Sequence, residues 1–526
     1  MKFRYDPSKE ELVVSDATRI EYHQIQLHLT RKVKGWRFHP LCKQGIWDGN
    51  KTYFNNGRVN IGLWKECMIG CKAIEVPFIV ENKGDFPINR DITLEGVRNF
   101  CLDFFKNHKM RKGEEWVDFM PYDHQIETAY KILKNKFCIT EVATSGGKSL
   151  IIGIVYFYII RNIEKGAKLL LIVPSITLVT QMYDDFIKNF HGENNLINLP
   201  KDEMCVEIRI EEVMSERPRK FSGTDNPNIY IGTYQSLEKW PKEFFQQFYT
   251  VACDEAHTSK NKTINTILEN TFTYAKYRFG VSGTFPQDDT CEILTIQSLL
   301  GPKITEVTAD ELKSKGIITP MDIKAIILNH NDKEFYDKVK IIRKGGDGKA
   351  SFDLEKKYVH QSEKRLEFIK KIVNKCNDNT LLLFHTIDNG QRIFNKLSSE
   401  MSDKEFFYID GEVSGKKREE IKKRMEETDG KVKVLIASFG TLSTGVSIKS
   451  ITNVIFTDSF KSEQIIIQSI GRALRLHTDK KMANIFDIVD IFDPNDMFNT
   501  LYKHYLERRG FYDKRKYPYK EIRINL

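Results

Sequence analysis

Asp254-Glu255-Ala256-His257 follows an apolar run, Phe248 to Cys253, and about a hundred residues upstream Ala143-Thr144-Ser145-Gly146-Gly147-Lys148-Ser149 follows another, Phe137 to Val142. Glycine-rich backbone admits close approach, so the N–H groups of Thr144, Ser145, Gly146 and Gly147 can cradle phosphates while Lys148 neutralises them. The Ser149 hydroxyl and the Asp254 carboxylate can hold Mg²⁺, and Glu255 stands where it can orient or deprotonate an attacking water. In this order, each at the end of a strand-like run, the two motifs describe a site for nucleoside-triphosphate hydrolysis.

Such a site needs parallel strands whose carboxyl ends carry the loops. From about residue 119 to 316 the chain alternates strand and helix patterns, with strands expected at Phe137–Val142, Lys168–Val173, Ile229–Gly232, Phe248–Cys253 and Arg278–Ser282. A second alternating set fills 317 to 495, with strands expected at Thr380–Phe384, Glu405–Ile409, Lys433–Ala437, Asn453–Phe456 and Ile485–Ile491 and no second phosphate loop. Lys344 to Lys349 reads as an exposed loop. Residues 1–118 show short alternating stretches (Glu11–Val14, Arg58–Trp64), turns at Trp47-Asp48-Gly49 and Asn55-Asn56-Gly57, and helical periodicity from Leu94 to His108. The fold class expected is therefore α/β: two parallel-sheet domains in tandem, preceded by a small α+β domain. Residues 496–526 are expected as a short basic tail with a helix from Met497 to Arg508.

Composition narrows the class. The 526 residues are 40% hydrophobic and 29% charged, a globular balance, and no apolar run reaches the roughly 18–20 residues of a membrane span. Nine cysteines without CxxC spacing support neither a zinc site nor a disulfide framework, and a cytoplasmic setting is expected, with no membrane partner. The net charge of +9 is unevenly spread. Arg31 to Lys65 hold eight Lys or Arg, among them Arg31, Lys32, Lys34 and Arg37, against one acid, Asp48. Eight more stand between Leu501 and Leu526 against three acids. Two basic clusters fit contact with a polyanion.

The second half brings its own chemistry in Gln468-Ser469-Ile470-Gly471-Arg472-Ala473-Leu474-Arg475. Arg472 and Arg475, three apart, lie on one side of a helix turn and can stabilise charge on a γ-phosphate. Ser282 and Thr284 can link the acidic motif to the rest of the site through their hydroxyls. Ser175, Thr177, Thr233 and Gln235 sit at strand ends, where hydroxyl, amide and backbone groups suit phosphate contacts, and Ser438 to Ser447, with Gly445, offers the same. Gln125 can read an adenine edge with its amide.

In order, Gln125, Ala143–Ser149, Pro174–Thr177, Gly232–Gln235, Asp254–His257, Ser282–Thr284, Phe384–Thr386, Ser438–Ser447 and Gln468–Arg475 resemble the motifs of superfamily 2 helicases and translocases. The resemblance implies two RecA-like domains, ATP and Mg²⁺ as cofactors, and a nucleic-acid strand contacted by Ser175, Thr177, Thr233, Gln235, His385 and Ser438. It also implies catalytic roles for Lys148, Asp254, Glu255, Gln468, Arg472 and Arg475, and coupling of hydrolysis to movement by His257, Ser282 and Thr284. Gln468, where RNA helicases with this acidic tetrad usually have His, is similar to the DNA-directed branch. Gly35 to Pro40, Gly45 to Gly49, the Ser145 loop variant and the ending from Leu501 look like the UvsW recombination helicases of T4-type phages. The expectation is an ATP-dependent DNA helicase or translocase that unwinds, anneals or branch-migrates forked and junction DNA in phage recombination, replication and repair. Its partners would be branched, duplex or single-stranded DNA and single-strand-binding or recombination proteins. Three alternatives stay open: an RNA helicase, against which Gln468 weighs; the motor subunit of a restriction enzyme; and a non-catalytic nucleic-acid-binding scaffold, against which Lys148, Asp254, Glu255 and Arg475 weigh. Trp36, Trp47 and Trp64 read as core residues before stacking platforms.

Overall fold

Strands that alternate apolar and polar residues build a sheet covered on one face, whereas strands apolar at every position must be buried on both. The chain uses both kinds. The computed structural model describes residues 1–106, 108–112, 115–186, 210–213, 228–286, 289–443, 448, 450–473, 482–497 and 499–526.

The N-terminal residues form β1 (Lys2–Asp6), β2 (Glu11–Ser15), β3 (Thr30–Lys32), β4 (Asn50–Thr52), β5 (Phe54–Asn55), β6 (Arg58–Asn60), β7 (Ile79–Val80), β8 (Lys109–Lys112) and β9 (Glu115–Asp118). A mixed sheet runs β5-β6-β2-β1-β7, while β3–β4 and β8–β9 are separate antiparallel pairs. Asn56 (φ 49°) and Gly57 (φ 71°) make the two-residue turn between β5 and β6, a geometry that Asn-Gly adopts readily. Phe3, Leu12 and Val14 meet Ile25, Phe54 and Leu63 in a core that continues onto Phe137 and Leu294. The stretch expected as one strand from Arg58 to Trp64 pairs only to Asn60 and then turns into a helix, Trp64–Ala73.

The next seven strands are β10 (Phe137–Val142), β11 (Leu169–Val173), β12 (Ile210–Val213), β13 (Ile229–Thr233), β14 (Thr250–Asp254), β15 (Tyr277–Ser282) and β16 (Lys303–Val307). They form one sheet, β12-β13-β11-β14-β15-β10-β16, in which every pair is parallel. The register sets Glu141 beside Ser282 and Asp254 beside Val281, so the carboxyl ends of β10, β15 and β14 are neighbours. Residues 1–142 and 146–307 make one compact unit, so the α+β domain and this sheet belong together.

Residues 308–526, with 143–145, make the other unit. Its sheet contains β17 (Met321–Asn329), β18 (Thr380–Phe384), β19 (Lys404–Ile409), β20 (Val432–Ser438), β21 (Asn453–Phe456), β22 (Ala483–Ile491) and β23 (Tyr519–Asn525), ordered β19-β20-β18-β21-β22-β17-β23 and again parallel throughout. The two tandem parallel sheets match the expected fold class. Two helices, Lys333–Lys344 and Gly348–Gln361, flank the turn that was expected as a loop. The C-terminal helix runs Thr500–Lys514, and the residues after it are not a free basic end: β23 adds to the edge of the sheet beside β17. Arg508, counted among the basic residues of the tail, is fully buried and paired through two nitrogens with Asp487 at 2.9 and 3.0 Å. No helix among the described residues is long and apolar enough to cross a membrane.

Candidate active site

The phosphate loop leaves the carboxyl end of β10 and enters the helix Lys148–Asn162. Entry requires left-handed backbone at Ser145 (φ 70°) and Gly147 (φ 81°). An added Cβ at Gly147 would also lie 2.1 Å from Gln125 Nε2 and displace that amide. The first helical residues, Lys148 and Ser149, sit where unpaired backbone N–H groups and the helix dipole favour an anion. Two side chains from the helix Asp123–Asn135 hold the loop from behind: His124 Nε2 lies 2.9 Å from Gly146 O, and Gln125 Nε2 donates to the same oxygen at 3.1 Å. Gln125 Oε1 also accepts from Tyr122 N at 2.9 Å, so the amide expected to read an adenine edge engages the protein at both ends. Sequence reading missed His124, whose only mark is its place beside Gln125.

The acidic motif closes the site from β14 and β15. Glu255 takes left-handed backbone (φ 49°, ψ 48°), a conformation that costs a non-glycine residue roughly 1–3 kcal/mol and re-aims its carboxylate as the strand ends. Lys148 Nζ donates to Glu255 Oε1 at 2.6 Å, with both side chains 15% exposed. His257 Nδ1 lies 3.3 Å from Glu255 Oε2 and 2.8 Å from Ser282 Oγ. Ser282 Oγ in turn donates to Thr284 O at 2.8 Å and approaches Glu255 Oε2 at 3.3 Å. Glu255, His257, Ser282 and Thr284 thus form one connected chain. Burial pushes the Glu255 carboxyl up, but the Lys148 ammonium and His257 outweigh it and hold it well below the usual carboxylate range.

Asp254 is the opposite case. Burial pushes its carboxyl up to about 6, with Lys148 opposing and Glu255 adding to the rise. Its Oδ1 is buried without a hydrogen-bond partner, which is costly unless a cation supplies the missing contact. This fits Mg²⁺ held by Asp254 and the Ser149 hydroxyl. Among the described residues no cluster of three or more His, Cys, Asp or Glu could cage a metal alone.

The remaining expected residues fall at strand ends. Ser175 caps the helix Ile176–Asp184 after β11, accepting from Leu178 N, and Thr233 caps Tyr234–Leu237 after β13, accepting from Ser236 N. Each hydroxyl therefore first fixes a helix start. Gln235 lies on the helix Thr233 caps and is exposed. Thr177 lies on the helix Ser175 caps, its side chain outside the described residues. In the other unit the exposed His385 has its backbone N–H held by Asp458 Oδ2 at 2.6 Å, and Ser438 Oγ lies 2.7 Å from Thr441 Oγ1. Gln468 and Arg472 lie on the helix Glu463–Ala473; their side chains, and the whole of Gly445 and Arg475, are outside the described residues.

On the N-terminal domain Lys32, Lys34 and Arg37 are exposed. Arg31 is half-buried, and its Nη1 donates to His28 O and, at 2.9 Å, to Thr30 O. Trp64 packs against the N-terminal core as expected, while Trp36 and Trp47 lie outside it.

Residues 122–293 match the DEAD/DEAH box helicase model and residues 364–477 the helicase conserved C-terminal domain. The chain is 27% identical to the ATP-dependent DNA helicase uvsW of Enterobacteria phage T4 over 97% of both chains. In fold it is similar to the type ISP restriction-modification enzyme LlaBIII bound to DNA, with a TM-score of 0.55 and 16% identity over 79% of this chain and 32% of that one. It is likewise similar to the DEAD-box helicase Mss116 bound to single-stranded RNA, with a TM-score of 0.53 and 14% identity over 84% of this chain and 79% of that one.

Proposed function

From the premise that the chain belongs to the superfamily 2 helicases, enzymes that hydrolyse ATP, we propose that it is an ATP-dependent DNA helicase or translocase acting on forked and junction DNA. It would unwind, anneal or branch-migrate such DNA during phage recombination, replication and repair. The observation that carries the reading is the Lys148–Glu255 pair, set between a left-handed phosphate loop and the His257–Ser282–Thr284 chain.

The pair explains how hydrolysis waits for substrate. Lys148 and Glu255 neutralise each other. Lys148 then leaves Glu255 for the β- and γ-phosphates of ATP, with the loop N–H groups of Thr144 to Gly147 beside it. Glu255 loses the cation that most lowers its pKa, and burial drives it toward the range where a carboxylate takes a proton from water. Mg²⁺ held by Asp254 and Ser149 would neutralise phosphate charge. Arg472 and Arg475 would stabilise charge on the γ-phosphate. His257, bridging Glu255 and Ser282, passes the state of the acid to β15 and so couples hydrolysis to movement. Gln468 joins the arginines in the catalytic set.

The DNA assignment is supported by the 27% identity to a DNA helicase over nearly the whole chain and by the exposed cations of the N-terminal domain. ATP turnover measured with single-stranded DNA, duplex, four-way junction and RNA tests it. Stimulation by DNA, greatest with branched DNA, is expected; stimulation by RNA alone would replace this reading with an RNA helicase.

A further inference from the structure

β3 and β4 pair in the register Arg31↔Lys51, and residues 33–49 between them form a tip. Val33 N donates to Gly49 O at 2.9 Å, closing the stem. Gly49 takes φ 82°, and any Cβ there would lie 2.7 Å from the Trp36 side chain, so the tryptophan is seated against bare backbone. Trp47 donates its Nε1–H to Asn50 O at 2.8 Å and stands edge-on to His39 at 5.1 Å. Lys32 Nζ lies 4.4 Å from the Trp36 ring centre.

An ordered tip that packs both tryptophans nevertheless leaves other apolar side chains outside. Phe38 is 80% exposed, Ile46 70% and Leu41 42%. The exposed cations Lys32, Lys34, Arg37 and Lys43 stand among them, and the one acid of the tip, Asp48, is engaged by Asn50 N at 2.9 Å. The stem is mounted firmly. Tyr53, just past β4, donates its hydroxyl to Cys291 O at 2.9 Å, and Lys51 Nζ reaches Thr295 Oγ1 at 3.3 Å, both on the helix Cys291–Leu300 beside the first parallel sheet. Gly62 lies against the same helix so closely that a Cβ would come within 2.1 Å of Gln297 O.

Apolar side chains among cations match a ligand that offers flat apolar faces between phosphates, which is a nucleic acid whose base stack has been opened. Anionic membranes also combine charge with apolar depth, but interfacial binding uses an amphipathic helix of several turns. Here the apolar residues sit on or beside helical turns of three and four residues. We propose that the tip is a strand-separating wedge. At a fork or junction Phe38 and Ile46 cover the face of the last base pair, while Lys32, Lys34, Arg37 and Lys43 hold the phosphates of the diverging strands. The fixed stem lets the motion of the first parallel-sheet domain press the wedge into the duplex. The inference rests on the DNA-helicase reading above.

The test uses the full chain carrying Phe38→Ala and Ile46→Ala together. Both residues are exposed, so folding is expected to survive, and Phe38→Trp with Ile46→Leu serves as the conservative rescue. The double alanine variant should keep ATP turnover stimulated by single-stranded DNA. It should unwind a forked duplex more slowly by on the order of tenfold, as expected for loss of base stacking. The fluorescence rise of 2-aminopurine at the branch, seen with the unaltered chain, should disappear, and the rescue variant should restore both signals. Unchanged unwinding with DNA-stimulated turnover intact would overturn the wedge and leave the helicase reading standing. Absence of DNA-stimulated turnover in the unaltered chain would remove the premise itself. Binding of the unaltered chain to phosphatidylserine vesicles that the double variant loses, with unwinding unchanged, would reassign the surface to a membrane.

Discussion

Replacing Arg278 by Met probes the joint between the N-terminal domain and the first parallel sheet. Arg278 is fully buried on β15, and its Nη2 pairs with Glu10 Oε2 at 2.6 Å, Glu10 being 2% exposed in the turn between β1 and β2. The guanidinium also lies 4.4 and 4.2 Å from the ring centres of Phe137 and Phe272. Removing one partner of a buried pair strands the other charge, at a cost of about 3–5 kcal/mol. Loss of the ring contacts adds roughly 1 kcal/mol. Methionine recovers part of the apolar packing, and Glu10 Oε1 keeps the N–H of Thr273 at 2.6 Å, so a net loss of about 4 kcal/mol is expected. Adding Glu10→Gln removes the stranded charge and should return roughly 2 kcal/mol, a coupling typical of contacting residues. A chain of several domains does not unfold in one step, so the readout is hydrogen exchange of β1, β2 and β15 in the full chain. Exchange free energies within about 0.5 kcal/mol of the unaltered chain, with no coupling in the double variant, would refute a joint built on this pair.

Arg475→Ala should spare DNA binding and cut ATP turnover by about 10³–10⁵, the range for a cation acting on a transferring phosphoryl group; single-turnover kinetics with normal hydrolysis would remove it from the catalytic set. Lys34→Ala and Arg37→Ala should each flatten the log–log salt dependence of junction binding by about 0.9. Stability should fall in acid in two steps. His108 and His504 are pushed down to about 4 by burial, so the unfolded chain takes up protons from about pH 6.5 that the folded chain refuses, and stability is lost between those values. Burial would raise the Asp490 carboxyl, but Arg365 and His330 hold it below its ordinary 3.8; its contribution is present above that value and lost as pH falls beneath it. Thermal unfolding from pH 7 to 2 checks both, and His504→Phe should weaken the first step.

The parallel sheets were legible because buried strands leave little choice of residue: Phe137–Val142, Thr380–Phe384 and Asn453–Phe456 are found at their expected bounds. Of the edge strands, β19 was expected at Glu405–Ile409, but two others were not. β16 reads Lys-Ile-Thr-Glu-Val and β23 Tyr-Lys-Glu-Ile-Arg-Ile-Asn, charged sequences that become strands only beside β10 and β17. Lys148, Glu255, His257 and Ser282 could be named because their chemistry is local to motifs, and the fold brings them within hydrogen-bond distance of one another. His124 and Glu10 could not, since each acts through a distant backbone or side-chain partner. Arg278 did leave a signal: a lone cation inside the run Tyr277–Ser282 cannot be buried without a countercharge. Arg508 shows the converse, a basic residue counted as surface that the fold turns inward.

The most direct test of hydrolysis by Glu255 is ATP turnover by the Glu255→Gln chain at saturating single-stranded DNA. The amide keeps the shape of the carboxylate but cannot take a proton from water. Nucleotide binding should therefore persist while turnover falls by about 10²–10⁴. Near-normal turnover in that variant would contradict the role given to Glu255 and, with it, the gating by Lys148.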